Sequence, residues 1–417
     1  MGGRSTVYSV RYRAADVLTA ALLAVLCLAA ALPAFAGGRQ GPAVLGIAAV
    51  SPVTDPAEVS FQHGVRVAVA VFNSLGGLMG QPIRTVLIPL GSSPLEARHA
   101  ARQLVHTPPL GIIGPSASTQ ALAMAEVLDR ARIPTITPSA SHPLVIRGRP
   151  YIFRICNGDT ANANAMARFI TRHLGLSRVA VITNISSDYS ISMSESFVDE
   201  AIRQGGEVVW RGQYLDRQQD FSVIIHQLLR LKPECVFLPD FMRSSGLFMQ
   251  QAAGMGLKTV FAGGEAWDAT LPRYAAAAAE NAYYMAQWIP EEPAGAAKNH
   301  HDRCRGHITP MRAFCKAPWL LARTHALRYL GRDFAGSLEA LGYDAACVLL
   351  AAARRAGSCD PRAVREALAQ TYWHGLTGPL HFDADGAPPP GPVHILQLRN
   401  GSARPVQTVT LSPREAQ

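Results

Sequence analysis

A two-lobed α/β fold, each lobe a parallel sheet clad in helices, is what this 417-residue sequence predicts. Three observations carry that prediction. Short, nearly continuous apolar runs recur along the chain with amphipathic helical patterns between most of them, the signature of parallel strands buried on both faces. Ten such runs exceed one comfortable sheet, so the chain divides in two. The stretch GIIGPSASTQALAMAEVLDRARIPTITPSASHP, from Gly111 to Pro143, reads as strand, turn, helix, strand, turn. Its two PSAS turns then fall at the carboxyl ends of neighbouring strands, where open α/β sheets bind ligands.

The elements follow in order. Arg4, Arg11 and Arg13, the apolar run Val17 to Leu32 and the small-x-small site Ala34-Phe35-Ala36 mark residues 1–36 as an export signal. The apolar run is short for a membrane span, and the bulky Leu26 before Cys27 argues against a lipoprotein cleavage site. Strands are expected at Val44–Val50, Ile83–Leu90, Leu110–Ile113, Thr135–Thr137, Tyr151–Ile155, Val179–Thr183, Glu207–Gln213, Cys235–Leu238, Thr259–Ala262 and Ala282–Gln287. Ser93-Pro94-Leu95-Glu96 is a capping box with proline at the first helical position. Asp220 and Asp360-Pro361 are N-cap signals for the helices that follow them.

The formal charge of +9 falls by two when the signal's Arg4, Arg11, Arg13 and Asp16 are removed. The remaining basic residues are dispersed, with no basic arm interleaved with aromatics, so no nucleic-acid partner is expected. Six cysteines remain after the signal: Cys156, Cys235, Cys304, Cys315, Cys347 and Cys359. Export puts them where disulfides persist. Cys304 and Cys315 share one irregular stretch and are the expected pair. Cys347 and Cys359 flank one helical pattern, about 18 Å apart if it is unbroken. The segment 291–318 has no clear period and also carries His300, His301 and His307. Its spacing matches no familiar zinc pattern, so a disulfide-closed surface insertion is expected and no metal or cofactor.

The two PSAS turns hold hydroxyls and backbone N–H groups beside a helix start, which suits a small carboxylate. No acid, base or nucleophile sits among them. The chain also lacks a Gly-x-Ser-x-Gly elbow, a His-Glu-x-x-His motif and a phosphate loop, so holding rather than reacting is expected, and no enzyme.

With these features together, the chain resembles the leucine/isoleucine/valine-binding protein family, the exported type I solute receptors of branched-chain amino acid ABC transporters. The motifs lie in one order across residues 44 to 400: Gly64 through NSLGGLMGQPI, IIGPSAST, ARIPTITPSASHP, YIFRICNGD, RVAVITN with SSDYS, KPECVFLPD, GMGLKTVFAGGEAWD, LGYDA and LTGPLHFDADG. The resemblance implies a type I periplasmic-binding-protein fold, with two Rossmann-like lobes joined by a three-strand hinge. It places the crossings near Ile155–Asp159, Gln287–Pro290 and Gly378–Phe382. Lobe 1 would take 37–155 and 290–378, and lobe 2 156–289 and 379–417.

The resemblance also implies a ligand clamp. The Ser116 hydroxyl would take a ligand carboxylate, and the second turn would contribute contacts through the Ser139 carbonyl and the Ser141 hydroxyl and N–H. Glu265, in the GGE turn, would meet an ammonium from the other lobe. Asp159, Tyr189 and Phe241 match further cleft positions. A carboxylate met by neutral donors at a helix start and an ammonium met by an acid suit a zwitterion. Read singly, the serines are ordinary turn formers and Tyr189 and Phe241 core or rim residues. The first loop, SPVTDPAEVSFQHG, lacks an aromatic-glycine pair common in the family, and IPLGSSP replaces a segment usually acidic. A branched aliphatic amino acid is the leading expectation, with an amide as the other class. Delivery would be to an inner-membrane ABC permease by a periplasmic monomer. The alternative is a periplasmic sensor of the same fold acting on a signalling partner.

Overall fold

A computed structural model describes residues 43–50, 56–290, 322–412 and 415. The expected signal, the 291–318 insertion and the Cys304–Cys315 pair lie outside them. Strand β1 (Ala43–Ala49), helix α1 (Pro56–Ser74), β2 (Ile83–Pro89), α2 (Pro94–Leu104), β3 (Gly111–Ile113), α3 (Ser118–Arg130), β4 (Thr135–Thr137) and β5 (Ile152–Arg154) follow in chain order. Their strands form a wholly parallel sheet in the order β2-β1-β3-β4-β5. The capping box forms as expected: Ser93 Oγ accepts from the Glu96 N–H and the Glu96 carboxylate accepts from the Ser93 N–H.

The chain then enters a second sheet. Helix α4 (Asp159–Arg168), β6 (Arg178–Asn184), α5 (Asp188–Arg203), β7 (Glu207–Tyr214), α6 (Ser222–Leu231), β8 (Cys235–Phe237), α7 (Met242–Gly254), β9 (Val260–Ala262) and β10 (Tyr283–Ala286) build its parallel part. Phe197, Phe237, Ile182 and Val236 are fully buried on its two faces, as continuous apolar strands require.

The later chain returns to the first sheet. Helix α8 (Ser337–Ala356) packs across α1 where two glycines meet. A Cβ on Gly64 would stand 1.9 Å from the Glu339 carbonyl oxygen, and one on Gly342 2.2 Å from that of Phe61. Only glycine permits that approach. Helix α9 (Pro361–Ala369) starts at Asp360, whose carboxylate accepts from the N–H groups of Arg362 and Ala363. Strands β11 (Tyr372–Gly375) and β12 (Gly378–His381) then form a separate hairpin.

Two outcomes differ from expectation. Strands β13 (Val393–Arg399) and β14 (Ser402–Val409) extend the second sheet as an antiparallel pair on β10, so that sheet is mixed rather than wholly parallel. The third crossing also falls later than Gly378–Phe382. Leu380 and Phe382 are buried in the core of the first sheet, and the Phe382 ring meets Phe153 at 4.9 Å. The turn after them covers edge strand β5, with Gly386 O accepting from Arg154 N–H. Apolar burial therefore holds the chain in the first lobe until about residue 388, and Val393 is the first residue back in the second core.

The described cysteines Cys156, Cys235, Cys347 and Cys359 are all thiols. Among the described residues no helix is long and apolar enough to cross a membrane.

Candidate functional site

The carboxyl ends of the two sheets face one cluster of polar side chains. In the first turn, after β3, Ala117 begins α3 with no side chain capping it. Ser116, half-buried, accepts at its carbonyl from Ser139 Oγ at 3.1 Å. The Ser118 hydroxyl accepts from the His142 N–H at 3.3 Å. The two turns are thus bonded to each other. Ser141 is fully buried, its carbonyl accepts from Arg154 Nη1 at 2.7 Å and from the Asp159 N–H at 3.1 Å, and its hydroxyl completes no hydrogen bond.

Asp159 opens α4 and is also fully buried, with both carboxylate oxygens lacking a hydrogen-bond partner. Burial pushes its pKa up to about 7, Glu265 adds to the rise, and the Ser141 and Ser192 hydroxyls and Arg154 oppose it. Glu265 sits in the turn after β9. Its Oε1 is sealed from solvent without a partner. Burial raises its pKa as well, offset in part by its own backbone N–H and by the side chains of Ser141, Asn162 and Tyr189.

Tyr189 lies in the first turn of α5 and points its hydroxyl at Glu265 Oε2, 3.4 Å away. The close approach depends on Gly264, where a Cβ would come within 1.9 Å of that hydroxyl oxygen. The Phe241 ring is 42% exposed and stands 6.1 Å from the ring of Tyr189, at the rim of the cluster. The two lobes also touch directly, since the Asp188 N–H donates to Thr119 Oγ1 at 3.1 Å.

Ser141, Asp159, Tyr189 and Glu265 therefore gather in one buried group. Ser116 and Ser139, both half-buried, are joined to each other, with the exposed Phe241 ring beside Tyr189. Three neighbours escaped the sequence reading. Asn162 is fully buried and completes no hydrogen bond at either amide atom. Ser192, 9% exposed, acts on Asp159. Spacing could have found both, since each lies three residues after a predicted site residue and so on the same helix face, Asn162 after Asp159 and Ser192 after Tyr189. Arg154, 8% exposed, had no local signal because β5 merely ends there.

The arrangement can hold a cation or several hydrogen-bond donors between Asp159 and Glu265, with hydroxyls and N–H groups facing an anion on the other side. Among the described residues no group of side chains suits a metal ion. A surface cavity of about 240 Å³ lies elsewhere, against β5, lined by residues that include Arg149, Phe153, Arg365 and Asp383 and by none of the cluster.

Comparison with known proteins agrees with this architecture. The family model described as periplasmic binding protein matches residues 45–403. A Leu/Ile/Val-binding protein homolog of Brucella melitensis is 26% identical over 58% of this chain and 66% of its own. The leucine-, isoleucine-, valine-, threonine- and alanine-binding protein of Pseudomonas aeruginosa is 24% identical over 87% of this chain and 92% of its own. Among solved structures, the leucine binding protein LivK of Thermotoga maritima superimposes with a TM-score of 0.75 at 25% identity. That match covers 88% of this chain and 99% of the other.

Proposed function

Because the chain belongs to the periplasmic binding protein family, we propose that it is an exported receptor that captures a small amino acid between its lobes and delivers it to an inner-membrane ABC permease. One observation supports this above others. Buried oxygens of Ser141, Asp159 and Glu265, brought from both lobes, have no hydrogen-bond partner inside the protein. Buried polar groups left so cost roughly 1–3 kcal/mol each, a penalty that a guest's ammonium removes. Asp159, Glu265 and the Ser139 carbonyl take that ammonium, and Ser116 and Ser141 take the carboxylate at the start of α3. Tyr189 and Phe241 border the guest's side chain, a branched aliphatic one by analogy with the Pseudomonas relative's name.

In this reading lobe 1 comprises the described residues of 43–155 with 322–387, and lobe 2 comprises 156–289 with 388–412. The protein acts as a periplasmic monomer and turns over nothing. A thermal-shift screen of the mature chain against the protein amino acids, short amides and aromatic acids tests it, because a bound ligand raises apparent stability with its affinity and concentration. Stabilisation by leucine, isoleucine or valine is the expected result. Stabilisation by amides or aromatic acids alone would replace the amino-acid reading.

A further inference from the structure

Asp159 at the start of α4 and Glu265 after β9 both belong to the second lobe and act on one another, and neither joins an ion pair or completes a hydrogen bond at Asp159 Oδ1, Asp159 Oδ2 or Glu265 Oε1. The Ser141 hydroxyl acts on both acids. The cation that acts on Asp159 is Arg154, whose guanidinium donates to the Ser141 carbonyl and lies against Gly158, so it offsets the charge without a hydrogen bond to Asp159. Two buried carboxylates in one site cannot both ionise cheaply. With one proton between them, the two acids and Arg154 sum to zero charge. With an ammonium in the proton's place the sum is again zero.

We propose that the Asp159–Glu265 pair holds one proton in common when no guest is bound and surrenders it to solvent as a guest's ammonium arrives, so that capture is coupled to proton release. The acid O–H bond breaks, its proton passes to water or buffer, and the guest's N–H groups take its place between the oxygens. Nothing is oxidised or reduced. The coupling rests on the amino-acid reading above; the shared proton does not.

The groups facing the pair are few. Arg154 comes from β5, Cys156 from the first crossing, and Tyr189 and Ser192 from α5, with Asp240 beyond Tyr189. His142, in the second PSAS turn, is the neighbouring imidazole; burial lowers its pKa, Arg154 adds to that, and Asp188 and Glu195 oppose it. Burial and mutual repulsion raise Asp159 to about 7, which places the exchange near neutrality.

The test uses the ligand-free mature protein first. Urea unfolding of wild type, Asp159→Asn and Glu265→Gln is compared from pH 5 to pH 8. The ratio of wild-type to Asp159→Asn unfolding constants should change about tenfold per pH unit below neutrality and level off above it. Glu265→Gln, which keeps Asp159, should move that change to lower pH. A His142→Asn control should leave it in place. Ratios flat across this range overturn the shared proton.

Calorimetry of L-leucine at pH 6 in two buffers of different ionisation enthalpy then reads the coupling. Release of about one proton, with affinity falling about tenfold per pH unit below 7, supports it. Binding with no proton released overturns it. A pH-dependent unfolding ratio with no leucine binding keeps the shared proton and removes the branched-chain reading instead.

Discussion

The backbone N–H of Asn157 donates to Oε1 of Gln287 at 2.9 Å, joining two crossings that lie 130 positions apart in the chain. The same asparagine accepts at Oδ1 from the Gly391 N–H at 2.8 Å and donates from Nδ2 to the Gly391 carbonyl at 3.3 Å. One buried residue, through its side chain and its backbone N–H, therefore ties all three crossings, at the place where the lobes must bend if they open and close.

Replacing Asn157 by Ala removes both side-chain bonds to Gly391 and keeps the backbone bond to Gln287. A stability loss of about 1 kcal/mol is expected from chemical denaturation, since the half-buried Gly391 N–H and carbonyl lose their partners. The ligand-free variant should also scatter X-rays as a more open particle. A wild-type denaturation midpoint together with an unchanged scattering profile would show that the tie is idle.

Glu265→Ala is expected to weaken amino-acid binding by about 2–5 kcal/mol, because it strands a desolvated ammonium. The ligand-free variant should melt close to wild type, because Glu265 Oε1 has no partner and Oε2 only the long 3.4 Å bond from Tyr189 to lose. Calorimetry showing wild-type affinity would take Glu265 out of the site.

Gly264→Ala puts a methyl group where the Tyr189 hydroxyl sits, 1.9 Å from its oxygen. The overpacking should cost about 1–3 kcal/mol. Adding Tyr189→Phe removes the offending oxygen, so the double variant should recover part of that loss in a mutant cycle. Strict additivity would mean that the two residues do not meet.

Ligand-free stability should fall as pH rises from about 4 to about 7. The sign follows from three buried acids with raised pKa values, whose large rises outweigh the opposing effect of His142, His325 and His394, lowered by burial. Burial lifts Asp159 to about 7, and Asp240 and Asp344 each to about 6, from an ordinary 3.8. Between those values the unfolded chain is ionised while the folded one still holds protons, so each unit of pH favours unfolding, and the effect is complete above 7. Urea midpoints at pH 5 and pH 8 measure it. A higher midpoint at pH 8 would contradict the assignment.

Much of the architecture was legible because it is local. Each expected strand matches a strand of the structure to within a few residues, since a buried parallel strand must be apolar throughout its length. The caps at Ser93 and Asp360 formed from the patterns that announced them. The β13–β14 hairpin was readable but overlooked. Asn400-Gly401 carries the left-handed pair of φ values that such a two-residue turn needs, 52° and 71°.

The candidate site was legible only in part. Ser141, Asp159, Tyr189 and Glu265 each stand at a strand end or helix start that sequence can locate. Arg154 and Asn157 could not be found that way. Their roles depend on carbonyls and side chains from segments that no spacing rule connects.

The order of strands and helices, their starts, and the two small-residue turns were determined by the chain itself, because periodicity, propensity and capping act over a few residues. Tertiary structure alone decided that both oxygens of Asp159 and Oε1 of Glu265 are buried without a hydrogen-bond partner, that Gly264 admits Tyr189, and that Asn157 binds three crossings together. Those relations set charge, burial and close approach between groups far apart in sequence, and such terms take values only once the sheets are folded and packed.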